Sequence, residues 1–329
     1  MQKHPLPFPP RSVSIETANR RSGTDKWMPD TVLSYHSDEI TASLKSSVKT
    51  LVGAMDFSIH QGEKLALIGE TGSGKTLTAL SIMGLLPQNV KCKGLDIKLQ
   101  CKGGRTHLGE DVFKTAGSAI VYIPQNGLES LNPHRKVRDH LFDTLRKNGC
   151  EKRLMLEKGL DMLKLAGFDK PEDIIGLYPF QLSGGMAQRV TIALAMTGRE
   201  SLIIADEPTN GLDKVGKDNF LKLLDSRFPE AGKLIITHDM AVADMTDKVI
   251  VLESGIVMEQ GPSNVVLNNP GCNYTRALID ALVRNGMKET PRLRESDSCC
   301  PFYSRCPKAC PSCFSVGYRK DGEHSWRCI

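Results

Sequence analysis

Eight consecutive residues have the types and order needed to hold a phosphate: Gly69, Glu70, Thr71, Gly72, Ser73, Gly74, Lys75 and Thr76. They fit the pattern G-x-x-x-x-G-K-[ST]. The glycines permit positive φ angles and let backbone N–H groups wrap a phosphate without side-chain clashes. A helix starting near Lys75 would add its positive dipole end. Lys75 is expected to contact the β- and γ-phosphates of a nucleotide, and the Thr76 hydroxyl to hold Mg²⁺. A Gly-rich turn can arise by chance. Here an apolar run precedes the loop and a helical pattern follows it, which is the context the chemistry requires.

Phosphoryl transfer also needs Mg²⁺ held near the phosphates and a water held in line for attack. Leu202-Ile203-Ile204-Ala205 is an apolar run that ends in Asp206 and Glu207. Asp206 is expected to meet the Mg²⁺, directly or through a bound water. Glu207 is the expected base or orienter of the attacking water. His238 follows another apolar run, Leu234–Ile236, and could reach a γ-phosphate lying over neighbouring strands. Gln125 follows Ile123-Pro124 at a third strand end, where it could meet the Mg²⁺ or the water. Taken alone each has a bland reading: a solvated strand end, a structural histidine, a loop glutamine. The phosphate loop upstream gives them weight.

These residues need a scaffold that brings strand ends together. Leu65–Ile68, Ala119–Ile123, Leu202–Ala205 and Leu234–Ile236 read as buried strands. Lys75–Leu86, with Leu77, Leu80, Ile82, Met83 and Leu86 at helical spacing, reads as a helix. Such alternation predicts an α/β fold with a mostly parallel sheet covered on both faces. Between Val137 and Met196 the strand signal fades, and Val137–Lys147 and Glu151–Leu165 read as amphipathic helices of an insert. Lys248–Leu252 and Ile256–Gln260 flank Ser254-Gly255, a hairpin signal. A helix is expected around Tyr274–Val283, then a polar linker to about residue 297. No internal repeat is visible, so a single nucleotide cassette is expected.

The 329 residues suffice for one large or two modest domains. Against 43 basic residues stand 38 acidic ones, a net +5 too mild to argue for nucleic acid. No apolar run approaches the ~18 residues that span a bilayer. The first residues lack the charged-then-apolar pattern of a signal peptide. Pro5, Pro7, Pro9 and Pro10 impose extended backbone, and residues 1–30 read as a flexible arm. The expectation is a cytoplasmic chain whose membrane role, if any, comes through partners.

Leu182-Ser183-Gly184-Gly185-Met186-Ala187-Gln188-Arg189 resembles the signature motif of ABC-type ATPases, and it precedes the acidic strand at that family's distance. The resemblance implies a P-loop cassette with a mostly parallel core, an antiparallel β part and a helical insert at about 126–197, within a nucleotide-binding domain spanning 31–261. It implies that two cassettes sandwich two ATP molecules head to tail. Ser183, Gly184, Gly185 and Asp213 would then act in trans on the partner's nucleotide, while Lys75, Thr76, Gln125, Asp206, Glu207 and His238 serve the chain's own. Tyr35 occupies the position of the family's adenine-stacking aromatic, with an ordinary strand tyrosine as the alternative.

Further segments are similar to the peptide/nickel importer branch: Leu128-Glu129-Ser130-Leu131-Asn132-Pro133, Tyr178-Pro179-Phe180-Gln181 and Asn273-Tyr274-Thr275-Arg276-Ala277-Leu278. This branch implies transmembrane permease subunits, a second homologous ATPase subunit and an extracytoplasmic solute-binding protein as partners. It places the chain at the cytoplasmic face of the cell membrane, with peptides or nickel and metal chelates as solutes and no nucleic acid. A soluble ABC ATPase acting on nucleic acid or ribosomes is the alternative, disfavoured by the single cassette and the lack of long coiled-coil insertions. Two departures stand out. Asn210-Gly211-Leu212-Asp213 replaces the usual Ser/Thr-Ala-Leu-Asp, and Ala187 stands where the branch commonly has Arg.

Six of the ten cysteines fall in the last 31 residues. Cys300, Cys306, Cys313 and Cys328, spaced C-x5-C-x6-C-x14-C, resemble the C-terminal extension of peptide-importer ATPases, expected here at 262–329. Some relatives hold a four-iron four-sulfur cluster there. Four converging thiolates suit such a cluster and also tetrahedral zinc, while reduced or disulfide-bonded cysteines are the remaining reading. Cys299 and Cys310 are left over.

Overall fold

The computed structural model describes residues 30–44, 47–196, 198–210, 212, 214–282, 300–314 and 317–328. The N-terminal arm, Gly211, Asp213, Cys299 and the linker before it lie outside the described residues.

The chain begins with strands β1 (Thr31–Ser37), β2 (Glu39–Leu44), β3 (Ser47–Val52), β4 (Met55–His60) and β5 (Lys64–Gly69), then helix α1 (Lys75–Met83). Strands β6 (Val90–Lys93), β7 (Asp96–Gln100), β8 (Thr106–Leu108) and β9 (Ile120–Ile123) follow. Helices α2 (Gly127–Ser130), α3 (Val137–Lys147), α4 (Met155–Leu165), α5 (Pro171–Ile175) and α6 (Gly184–Ala195) come next without an intervening strand. The chain then alternates through β10 (Leu202–Asp206), α7 (Lys214–Arg227), β11 (Gly232–Thr237), α8 (Met240–Ala243), β12 (Lys248–Glu253) and β13 (Ile256–Pro262). It ends with α9 (Ser263–Asn268), α10 (Asn273–Asp280), β14 (Arg319–Asp321) and β15 (His324–Trp326).

The central sheet has the order β14-β15-β13-β12-β5-β11-β10-β9. From β12 to β9 all neighbours run parallel. These strands are apolar along nearly their whole length because both faces are covered, and β5, β10 and β11 are buried from end to end apart from the first residue of β5. A parallel sheet places every strand's C-terminal end on one rim, so the residues after β5, β9, β10 and β11 must meet there. There are two further sheets, both antiparallel, β4-β1-β7-β8 and β3-β2-β6, and Leu33, Ile59 and Leu99 of the first share an apolar cluster with Leu67, Leu202 and Leu234 of the central sheet.

The insert helices bury a core of their own, in which Leu131, Val137, Leu141, Leu163, Ala187 and Val190 pack together. Ala187 is wholly buried, and its backbone lies so near Gly127 that a Cβ there would meet it at 3.0 Å. The helix expected over 75–86 stops at Met83, because Gly84 takes a left-handed φ of 67° and its N–H returns to Leu80 and Ser81. Residues 152–154 form a 3-10 turn ahead of α4. The hairpin β12–β13 turns through Ser254 and Gly255, both at positive φ.

The extension after Pro262 does not stand apart. Met258, Tyr274, Phe302 and Cys306 share one apolar cluster with Ala66 and Ile68 of β5. Strand β15 pairs with β13, matching Trp326 to Glu259. The fully buried Glu259 carboxylate accepts from the Gly271 and Cys272 backbone N–H groups and from His324 Nε2 at 2.6 Å. No helix among the described residues is long and apolar enough to cross a membrane.

Candidate ATP site

The phosphate loop leaves β5 at Gly69, whose φ of 153° is open mainly to glycine. A Cβ there would meet the Leu252 carbonyl oxygen at 2.2 Å, so the neighbouring strand β12 leaves no room for another residue. Gly74, at φ 102°, caps α1, and a Cβ there would strike Val52 at 2.5 Å. The hairpin turn braces the loop from the side: the Gly255 N–H donates to the Ser73 carbonyl at 3.0 Å. Lys75 is buried, and its Nζ donates to the carbonyls of Gly69 and Glu70 at 2.8 and 2.9 Å. Burial lowers its pKa, while the carboxylates of Glu207, Asp206 and Glu70 oppose that shift.

Registers across the sheet bring the other residues to the same rim. Ile68 stands opposite Thr237, Asp206 opposite Ile236, and Ala205 opposite Ile123. The Thr76 hydroxyl donates to Asp206 Oδ2 at 2.9 Å, and the Tyr122 hydroxyl donates to the same oxygen at 3.0 Å. Desolvation raises the Asp206 pKa, aided by the charge of Glu207 and opposed by these two hydrogen bonds. Glu207 adopts a left-handed φ of 46°, which turns it out of the strand direction, and its N–H donates to the Ile236 carbonyl at 2.8 Å. Its carboxylate faces His238, whose Nδ1 lies 2.9 Å from both oxygens. Glu207, His238, Lys75, Thr76 and Asp206 therefore form one constellation. Gln125 is exposed two residues beyond the end of β9, on the same rim.

The signature segment is a helix start. Ser183 caps α6, its Oγ accepting from the Met186 N–H at 3.3 Å, and Gly184 and Gly185 are exposed with open space where a side chain would stand. Gln188 Nε2 donates to the Pro208 carbonyl, which ties α6 to the turn after Glu207. Asp213 lies outside the described residues.

Tyr35, expected as a base-stacking aromatic, lies inside the core. It is 1% exposed within β1, its ring lies 5.0 Å from Phe57, and its hydroxyl is 2.8 Å from Ser81 Oγ. Strand alternation turns it into the core, the environment of the alternative reading, an ordinary strand tyrosine. Tyr122, on the other hand, was not expected at the site. Its sequence carries a weak signal only: an aromatic inside the apolar run that leads to Gln125.

In the extension, Cys300, Cys306, Cys313 and Cys328 line one cavity of about 160 Å³ together with Cys272 and Cys310. Burial pushes the Cys300 thiol up to about 11. Cys310 and Cys313 approach to 3.8 Å between sulfurs. No three His, Cys, Asp or Glu side chains among the described residues converge at metal-binding distance.

Comparison with known proteins agrees with this geometry. The fold is that of an ATP-binding cassette: it superposes on a post-hydrolysis dimer of the cassette MJ0796 bound to ADP and Pi, with TM-score 0.59 and 24% identity over 70% of this chain and 98% of that one. Residues 52–210 match the ABC transporter family and residues 258–313 the oligopeptide/dipeptide transporter C-terminal region. The chain is 34% identical to the dipeptide transport ATP-binding protein DppD of Haemophilus influenzae, over 80% of this chain and 84% of that protein. It is 35% identical to the oligopeptide transport ATP-binding protein AppD of Bacillus subtilis, over 80% of this chain and 85% of that protein. The chain belongs to the family of ABC transporter ATP-binding subunits of the oligopeptide/dipeptide branch, and it is an ATP hydrolase.

Removing the Tyr122 hydroxyl takes away one of the bonds that favour ionised Asp206. In Tyr122→Phe the Asp206 pKa rises further, so its carboxylate is lost at higher pH. The acid limb of the pH profile of ATP hydrolysis is expected to move upward relative to wild type.

Proposed function

We propose that this subunit works at the cytoplasmic face of a membrane, where it hydrolyses ATP to drive import of short peptides through partner transmembrane subunits. The observation that carries the reading is the match of residues 258–313 to the oligopeptide/dipeptide transporter C-terminal region, joined to an intact cassette. The names of its relatives speak of dipeptides and oligopeptides, which favours peptides over nickel.

The site residues have these roles. Backbone N–H groups of Gly69–Gly74 and the start of α1 cradle the phosphates, with Lys75 on the β- and γ-oxygens. Thr76 and Asp206 offer adjacent oxygens, joined at 2.9 Å, and such an oxygen-only pair suits Mg²⁺, with Gln125 as a further donor on the rim. When bound, Mg²⁺ neutralises charge on the phosphate oxygens. Tyr122 holds Asp206 in place. Glu207 orients the attacking water and takes its proton as the water oxygen bonds to the γ-phosphorus and the bond to the β-phosphate oxygen breaks, releasing ADP. His238 Nδ1 fixes the Glu207 carboxylate and carries its other ring nitrogen toward the γ-phosphate. Ser183, Gly184 and Gly185, together with Asp213, close the site of a second cassette, which in turn closes this one.

The cavity lined by Cys300, Cys306, Cys313 and Cys328 has the donor chemistry for an iron–sulfur cluster, since thiolates are the ligands such clusters use. Zinc is the alternative for the same donors. These thiols must move together to bind either, because they do not yet converge at ligand distance.

Replacing Glu207 by Gln removes the proton acceptor and keeps the shape. The variant is expected to retain nucleotide binding while hydrolysis falls about 100-fold or more; hydrolysis at the wild-type rate would refute the base assignment. Anaerobically purified protein is expected to contain iron and to absorb broadly near ~400 nm; zinc without iron would refute the cluster. Affinity capture from gently solubilised membranes is expected to recover two multi-span permeases and a second ATPase. Recovery of ribosomal or DNA-repair proteins without a permease would overturn the transport role.

A further inference from the structure

The phosphate loop carries a carboxylate that its cradle does not need. Glu70 contributes backbone to the loop, but its side chain turns aside and meets Arg305 of the cysteine-rich extension, Nη1 to Oε1 at 2.7 Å. The other terminal nitrogen of the same guanidinium donates to Glu253 at the end of β12, again at 2.7 Å. Glu253 is nearly sealed from solvent, with 7% of its side chain exposed, whereas Glu70 is about half exposed at 47%. The guanidinium lies 5.3 Å from the Phe302 ring centre, and Phe302 meets Tyr274 edge-on at 5.3 Å. Arg305 is thus pinned between a strand of the central sheet and an aromatic pair of the extension. Its immediate neighbour, Cys306, lines the cysteine cavity.

We infer that Arg305 is a positioning residue for ATP binding: it neutralises Glu70 and straps the phosphate loop to the cysteine-rich extension. The argument is electrostatic. An unpaired carboxylate in a loop built to receive a triphosphate repels the substrate, and at half exposure water screens that repulsion only in part. A forked guanidinium holds two carboxylates at once, which an ammonium cannot do with the same geometry. Displacement of Arg305 leaves Glu70 charged beside the phosphates and Glu253 buried without its cation. Nucleotide affinity therefore reports on whether the segment around Cys300 and Cys306 is folded against the sheet. This reading rests on the nucleotide role of the loop, and it gives the extension a direct line to that loop.

The test uses the full-length chain and titration with a fluorescent N-methylanthraniloyl derivative of ATP in the presence of Mg²⁺. Arg305→Ala is expected to weaken binding about fivefold. Adding Glu70→Gln to Arg305→Ala is expected to restore affinity, because the uncompensated charge is gone. Arg305→Lys, which keeps the charge but can serve only one carboxylate well, is expected to fall between wild type and Arg305→Ala; it carries the test should the alanine variant fail to fold. An extension that merely unfolds loses affinity equally whether residue 70 is Glu or Gln. Wild-type affinity in both Arg305 variants, or a loss in Arg305→Ala that Glu70→Gln does not relieve, would overturn the strap. Wild-type protein that fails to bind the probe would instead overturn the nucleotide reading beneath it.

Discussion

Asp206 is the point on which the site turns. It ends a strand buried along its length, so its carboxylate sits where water cannot fully solvate it, and burial raises its pKa. Two hydroxyls, Thr76 from the phosphate loop and Tyr122 from β9, donate to it and oppose that rise. Those two bonds also fix three chain segments against each other: the start of α1, the end of β10 and the middle of β9. A buried acid with such partners keeps a precise place only while the parallel pairing beneath it holds. The pairings of β10 with β11 and β9, and of β11 with β5, are therefore part of the chemistry as well as of the fold.

Bracing around that centre comes from elements distant in the chain. The turn of the β12–β13 hairpin supports Ser73, α6 reaches the turn after Glu207 through Gln188, and Arg305 joins the extension to Glu70. Nucleotide in the loop would thus be felt by the helical insert and by the cysteine-rich region through different contacts. The insert is coupled through a side-chain amide on a backbone carbonyl. The extension is coupled through charge.

Much of this was legible in the sequence, and the reason is physical. The phosphate loop demands glycines where no Cβ fits, as Gly69 and Gly74 show. Parallel strands covered on both faces must be apolar throughout, so Leu65–Ile68, Leu202–Ala205 and Leu234–Ile236 stood out, and the acids and histidine that end them followed. Helix α3 is legible with its observed bounds because its amphipathic pattern is strong. Side-chain direction in a short strand was harder: Tyr35 has no flanking motif to fix which face it takes, and it faces the core. Tyr122 and Arg305 act across long sequence separations, and nothing in their local pattern says which carboxylate they meet. Strands β14 and β15 are only three residues each, too short for period-two alternation to be read.

The outer edge of the sheet is finished late. Strand β13 is covered by β15, a segment synthesised long after it, and Gly261 admits the close passage of His324, whose Cα would lie 3.0 Å from a Cβ at that position. Until β15 emerges from the ribosome, β13 presents an open row of backbone donors and acceptors beside a finished parallel core. The nascent chain therefore passes through an interval in which its cassette can already fold while one sheet margin remains adhesive. A product cut short before β15 would leave that margin of β13 open permanently.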